Sequence, residues 1–286
     1  MAYRHGTEGL DMAWCPGCGN FGIRNALLKA LEDLEIPAEE LVVVSGIGQA
    51  AKMPHYIKCS CFNGLHGRAL PPATAIAVCN RDLTVIAEGG DGDMYGEGGN
   101  HFIHCVRRNP DITHLVHDNM VYGLTKGQAS PTSMIGFETP VQPEGVILRP
   151  FDPVAVAVAL DASFVARSFA GDPDHLSGII VEAVKHRGYA LVDILQPCVS
   201  FNRVNDYDWF RENSFEVGDD HDPTNREAAF SLAVGSEKLA LGVIYRNEDR
   251  KTFEEQQPVW EEDGTPLFRR GPDLEELRRL AGEYEV

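Results

Sequence analysis

The sequence predicts an α/β fold, a parallel sheet with helices on both faces. Two observations carry that prediction. Short β-branched runs alternate with longer stretches whose apolar residues recur at helical spacing, and this order implies parallel strands joined by helical crossovers. The chemically unusual residues cluster where the strand-like runs stop, which is where open parallel sheets collect ligands.

The elements follow in order. Phe21 to Leu34 reads as a helix with Ile23, Leu27, Leu28 and Leu31 at helical spacing. "LVVVSGIG" (41–48) reads as a buried strand closed by a glycine turn. "DLTVIAEGGDGD" (82–93) repeats that pattern, residues 97–108 read as a helix burying Phe102, Ile103 and Val106, and "DITHLVHDN" (111–119) is the next strand. A helix near 153–161, a strand near 163–169, a helix near 174–187 and the strand "YALVDIL" (189–195) complete the series. Residues 1–225 are expected to form one domain. From about residue 225 the chain becomes richer in charge, and 226–286 reads as an arm packing on that domain or on a partner.

Composition narrows the function. With 286 residues, 43% hydrophobic and 24% charged, the chain can bury the core of one large or two small globular domains. Its longest apolar run, Val154 to Leu160, is too short to cross a membrane. The N-terminus lacks the basic-then-apolar layout of a signal peptide, so a cytoplasmic protein with no membrane partner is expected. A net charge of −18 argues against nucleic acid as a partner, because displacing counterions needs a basic surface. It leaves room for an anionic ligand wherever a bound cation inverts the local field. Seven cysteines in such a chain do not suggest a disulfide framework and direct attention to metal-ligand spacing.

"GGDGDMYG" (89–96) resembles a dinucleotide loop but fails its spacing, since Gly96 arrives one residue late and Asp91 and Asp93 stand between the glycines. Two carboxylates would repel a bare phosphate. They become useful when a divalent cation bridges carboxylate and phosphate, as Mg²⁺ does with a few protein oxygens. A second oxygen donor should then lie at a neighbouring strand end, one crossover later. Asn119 does, and the Val121 carbonyl can be a third. An Asp-Gly turn with a solvated carboxylate is the competing reading of Asp91 alone.

"GDGD", a crossover and then "DNMVYGLTKGQASPTS" together resemble the thiamine-diphosphate motif of the β subunits of 2-oxoacid:ferredoxin oxidoreductases. The resemblance spans roughly residues 10–205 and includes "WCPGCG", "SGIG", "GLHGRALP", "GGNH" and "YGLTKGQ" in that family's order. It implies the thiamine-diphosphate-binding fold. It implies that Asp91, Asn119 and the Val121 carbonyl hold Mg²⁺ on the diphosphate. Gly46, Ile47, Gly48, His66, Gly90, Gly92, Asp93, Tyr122, Gly123, Leu124 and Thr125 would line the cofactor, with Leu124 supporting the bent thiamine. The implied reaction is oxidative decarboxylation of a 2-oxo acid such as pyruvate or 2-oxoglutarate. Electrons would pass singly through an iron–sulfur cluster to ferredoxin, and coenzyme A would take the acyl group.

By the resemblance, His66 in "GLHGR" would bind the diphosphate or position substrate, although a lone histidine is more often a structural residue. Lys52 in "GQAAKMP" matches a basic position that the family places near the substrate carboxylate, where charge-assisted bonds would form; a solvated surface lysine is the alternative. The glutamate that protonates the aminopyrimidine is missing, because Glu88 and Glu97 both lie beside the diphosphate motif. In the family a partner α subunit supplies it, which implies a hetero-oligomer, of α or αγ partners, with its active site between chains.

Cys15 and Cys18 form a C-x-x-C pair in "WCPGCGN". No strand precedes it as a thioredoxin-like pair would require, and no second pair completes a zinc ribbon. A 4Fe–4S cluster needs four thiolates, which can be dispersed. Cys198 in "QPC" ends the last strand at the cofactor edge and matches the family's final ligand. Many members carry a cysteine directly after "SGIG", where this chain has Gln49. Cys59 in "KCSC" is therefore taken as the fourth ligand, with Cys61 as the alternative. Cys79 and Cys105 read as small buried hydrophobes. A non-redox thiamine-diphosphate decarboxylase subunit with structural cysteines remains the alternative function.

Overall fold

The computed structural model describes residues 11–261 and 263–284. Helix α1 (Asn20–Asp33) buries Ile23, Leu27, Leu28 and Leu31, as their spacing predicts. Strand β1 (Leu41–Ser45) is buried along its whole length. A 3-10 segment, Ala50–Tyr56, leads into β2 (Ser60–Asn63), α2 (Leu70–Cys79) and β3 (Thr84–Gly90). A π-helical turn over Gly92–Glu97 joins β3 to α3 (Gly99–Arg108). Then come β4 (Ile112–Asp118), the small hairpin β5 (Val121–Tyr122) and β6 (Gln128–Ala129), α4 (Pro153–Ala159), β7 (Phe164–Phe169), α5 (Pro173–Lys185) and β8 (Tyr189–Leu195). Helices α4 and α5 each start at an Asp-Pro step. Asp152 and Asp172 accept from Ala155 N and His175 N, and the following proline fits the first helical turn. The chain continues through α6 (Tyr207–Glu212), β9 (Ser214–Glu216), α7 (Arg226–Gly235), β10 (Leu239–Arg246) and α8 (Leu274–Glu283).

The main sheet has the order β2-β1-β3-β4-β8-β7-β10-β9, and every pair except β7–β10 is parallel. Strand alternation feeds two cores. Val42, Val44, Val85 and Ala87 pack under α2, α3, α4 and α7, whereas Leu41, Val43 and Ile86 pack under α1 and α5. Both faces are thus covered, which is why the inner strands read as continuous apolar runs. The sequence order reverses between β4 and β8, so Asn119 and Gln196 leave adjacent strand ends, tied by a Gln196 N to Asp118 O bond of 2.9 Å.

Among the strands that the sequence reading lacks, two bear on the site and the domain boundary. "SCFN" is an edge strand. All four of its residues are exposed, so the apolar signature of a strand is absent. In residues 226–246, α7 packs on the domain, and β10 goes further and extends the main sheet beside β7. Gly242 at φ 125° and a register shift between Val243 and Tyr245 interrupt the alternation of β10, which hides it in the sequence. The arm-like character begins later: α8 buries no residue, while Trp260 is buried with the Arg270 guanidinium 4.6 Å from its ring.

Candidate active site

The carboxyl ends of β1, β3 and β4 line an open cavity of about 110 Å³. Asp91, Asn119 and Val121 line it together. Asp91 follows β3 and is buried. Asn119 follows β4, and its Oδ1 accepts from Val121 N at 3.0 Å while its Nδ2 donates to Gln196 Oε1 at 3.0 Å. These two bonds fix which way the amide faces. Ile47, Gly48, His66, Gly90, Gly92, Asp93, Tyr122, Gly123, Leu124 and Thr125 complete the wall, so the predicted residues converge from distant parts of the chain.

Gly46 and Lys52 are the exceptions, since neither lines this cavity. A side chain at Gly46 would collide with Asp93, so its glycine serves close packing. Lys52 lies on the 3-10 segment, partly buried and away from the wall.

Asp93 joins loops more than it lines the cavity. Its Oδ1 accepts from Gly67 N at 2.7 Å and Ile47 N at 3.2 Å, holding "GLHGR" against "SGIG". Burial raises its carboxyl above the usual range, and those two amide bonds oppose the rise. Its Oδ2 is buried and has no hydrogen-bond partner among the described residues. His66 Nε2 stands 3.4 Å from Glu97 Oε2 and 3.6 Å from Asp93 Oδ1, edge-on to the Tyr122 ring. Tyr122 donates to Glu97 Oε2 at 3.1 Å, with its ring against Gly92.

Behind the cavity lies a buried acidic cluster. Thr132 Oγ1 is 2.7 Å from both Asp91 Oδ2 and Asp118 Oδ1. One hydroxyl proton cannot serve two carboxylates, so one of the acids must itself donate. Burial, reinforced by the Asp193 and Asp91 charges, holds Asp118 well above the usual carboxylate range. Burial raises Asp91 only to about 6, against hydrogen bonds from Ser130 and Thr132. Glu88 is committed elsewhere: it contacts His117 at 2.7 Å, and His117 also meets Asn20 Oδ1 at 2.7 Å.

A second cavity of about 40 Å³ abuts the first and shares Gln49, Asn119 and Gly123 with it. Cys15, Cys18 and Cys198 line it. The loop bearing the first two is pinned by Trp14 Nε1 donating to Gln49 O at 2.8 Å and by Gly19 N donating to Pro197 O at 3.2 Å. A Cβ on Gly19 would lie 2.6 Å from Gln196 Cγ, so glycine is required for this approach. Cys15 Sγ accepts from Ser200 Oγ at 3.0 Å, and Cys18 Sγ from Gln196 Nε2 at 3.3 Å. Burial pushes the Cys18 thiol up to about 11.

Neither Cys59 nor Cys61 reaches this cavity. Cys61 pairs in register with Val43 on β2, and Cys59 precedes that strand. Cys59 therefore starts about 13 Å short of the carboxyl edge, at roughly 3.3 Å per residue. Cys59 packs instead against the core under α1, where burial raises its thiol to about 12. Cys105 is buried as expected, whereas Cys79, at the end of α2, is exposed. Among the described residues, no three His, Cys, Asp or Glu side chains are placed to hold a single metal ion.

The chain is similar to known proteins in sequence and fold. Residues 43–194 match the family "thiamine pyrophosphate enzyme, C-terminal TPP binding domain", and 198–262 match the family of the C-terminal region of the pyruvate ferredoxin oxidoreductase β chain. The β subunit of 2-oxoacid:ferredoxin oxidoreductase 1 from Aeropyrum pernix is 38% identical, covering 96% of this chain and 93% of its own length. A 2-oxoglutarate synthase subunit from Archaeoglobus fulgidus is 39% identical over 71% of this chain and 75% of its own length. A solved 2-oxoglutarate:ferredoxin oxidoreductase from Magnetococcus marinus, with 2-oxoglutarate, coenzyme A and succinyl-CoA bound, superposes with a TM-score of 0.89. It is 34% identical and covers 96% of this chain and 93% of that one. The chain belongs to the β subunits of the 2-oxoacid:ferredoxin oxidoreductases.

As such a β subunit, it has residues bonded to the cavity walls that the sequence reading passed over. Thr132 sits in "SPTS", quoted for its resemblance but given no role, and it bridges Asp91 to Asp118. Gln196 sits in "QPC", where the cysteine drew attention, and it bonds to Asn119 and Cys18. A polar residue immediately before a proline at a strand end was the signal available for Gln196. No helix among the described residues is long and apolar enough to cross a membrane.

Proposed function

We propose that this β subunit holds thiamine diphosphate and Mg²⁺ in the larger cavity. With a partner α chain it would catalyse oxidative decarboxylation of a 2-oxo acid to CO₂ and an acyl-CoA, with electrons passing to a ferredoxin. The observation that carries the reading is the convergence of Asp91, Asn119 and Val121 on one cavity beside Gly90 and Gly92. The residues suit the group. Asn119 Nδ2 is engaged by Gln196, which leaves Oδ1 as the oxygen available to a cation. Asp91 supplies a carboxylate and Val121 a carbonyl, both hard oxygens of the kind Mg²⁺ takes alongside diphosphate. Bound thiamine diphosphate supplies a carbanion that adds to the 2-oxo carbon and an electron sink for the pair released with CO₂.

The chain's own groups bind and orient. Gly90 and Gly92 let backbone approach the diphosphate, and the half-exposed Leu124 offers an apolar prop at the cavity mouth. His66, between Asp93 and Glu97, is placed to contact the diphosphate or the incoming carboxylate. Glu88 is occupied by His117, and Glu97 by Tyr122 and His66. The acid for the aminopyrimidine is therefore assigned to the α partner. Likeness to the 2-oxoglutarate-bound enzyme favours 2-oxoglutarate within the 2-oxo acids.

The test is titration of thiamine diphosphate with Mg²⁺ into the co-expressed complex, followed by assay of pyruvate and 2-oxoglutarate with coenzyme A and a low-potential acceptor. Asp91→Ala should abolish cofactor binding while leaving the complex assembled. Unchanged binding in that variant would refute the assignment.

A further inference from the structure

We infer that the smaller cavity is a three-thiolate iron–sulfur site in which Gln49 stands at the fourth corner, so that one iron of a bound cluster lacks a protein thiolate. This rests on the function proposed above. A four-thiolate cluster does not fit the described residues: Cys15, Cys18 and Cys198 line the cavity with Gln49 among the other wall residues, and no fourth cysteine lines it. The candidate fourth cysteines are held away, Cys61 by its register with Val43 and Cys59 by its place before β2.

What remains still suits a cluster. The three cysteines come from distant parts of the chain and line one cavity together. Thiolates gathered in this way are the ligands that iron–sulfur clusters take. Two of the sulfurs already accept hydrogen bonds, Cys15 from Ser200 and Cys18 from Gln196, which hold both side chains at the cavity wall. Gln49 is fixed in the wall because its carbonyl accepts from Trp14 Nε1. Its Oε1 is buried with no hydrogen-bond partner among the described residues. An amide or a water ligand holds iron less firmly than a thiolate does, so the iron at this corner exchanges first.

The loss has a definite balance. A 4Fe–4S cluster in its 2+ state gives one electron to ferricyanide and releases one Fe²⁺, leaving a 3Fe–4S cluster in its 1+ state.

The experiment uses the complex co-expressed with its α partner and purified without oxygen. Iron and sulfide are counted, and the electron paramagnetic resonance spectrum is recorded before and after stoichiometric ferricyanide with a ferrous chelator. The native complex should release one iron per β chain and gain the signal of a three-iron cluster, and added Fe²⁺ with reductant should reverse both. Gln49→Cys should keep all its iron under the same treatment. Gln49 has φ −71° and ψ −36°, so cysteine enters without backbone strain. Two results would overturn the inference: a native cluster as resistant as that of the variant, or a native complex without iron. Thiamine diphosphate titration of the same samples separates the causes. Intact cofactor binding without iron defeats the cluster site alone, whereas loss of both defeats the proposed function as well.

Discussion

Gln196 accepts from Asn119 Nδ2 at 3.0 Å through its Oε1, and its Nε2 donates to Cys18 Sγ at 3.3 Å. One side chain therefore spans the wall between the two cavities and orients a group in each. Gln196→Met keeps most of the volume and removes both bonds. Each such bond contributes about 0.5–1.5 kcal/mol. Affinity for thiamine diphosphate with Mg²⁺ should therefore fall roughly three- to ten-fold, measured by calorimetric titration. Since the Gln196 bond lowers the Cys18 thiol against burial, the variant's Cys18 should also alkylate more slowly in the metal-free protein. Unchanged affinity together with unchanged alkylation would remove Gln196 from any positioning role.

Asp93 and Asp91 should separate under substitution, although both come from "GDGD". Asp93→Ala leaves Gly67 N and Ile47 N without their acceptor, a cost of about 1–3 kcal/mol for each amide that stays dry. Asp93→Asn retains an acceptor oxygen and should recover most of that loss. Urea denaturation of the two variants reads the difference. Equal stability of Ala and Asn would mean that the loops do not depend on this carboxylate.

The strand ends were legible because the βαβ pattern places them, and Asp91, Asn119, Tyr122 and Cys198 all fall at such ends. Their convergence needed only the rule that parallel strands share a carboxyl edge. Distances along β2 were not legible. "KCSCFN" has no apolar alternation, because every residue of this edge strand is exposed, and only pairing with β1 reveals how far Cys59 lies from the site. Asp118 was hidden for the opposite reason: it reads as one more strand residue until Thr132, fourteen positions later in sequence, folds over it.

Burial and the neighbouring acids favour the protonated form of Asp118, so an uncharged isostere should replace it with little loss. Asp118→Asn is expected to unfold within about 1 kcal/mol of the native chain and to bind thiamine diphosphate as well, because no buried charge is removed. Thr132→Val, which strips the hydroxyl from two buried acids, should cost more stability than Asp118→Asn. Chemical denaturation with a parallel cofactor titration checks both. A large loss of binding in Asp118→Asn would show that the carboxyl is ionised in the working enzyme.

His114 sets part of the acid limb of stability. It lies buried on β4, with Nδ1 2.6 Å from Tyr189 Oη and Nε2 without a partner among the described residues. Burial lowers its pKa from 6.5 to about 3, so the folded chain keeps it neutral where the unfolded chain would protonate it. Its contribution is complete above the unfolded value of 6.5 and is lost as pH falls towards about 3, at about 1.4 kcal/mol per pH unit. The buried acids act with the opposite sign. Asp91, raised by burial to about 6, favours the folded state at low pH and loses that contribution as pH rises through about 6. Comparing two proteins at each pH cancels the acids and isolates the histidine. His114→Gln keeps a polar group beside Tyr189 and cannot titrate. The stability advantage of the native chain over this variant should shrink steadily as pH falls below 6.5, read from urea unfolding at a series of pH values. Parallel curves would show that His114 stays equally protonated in both states.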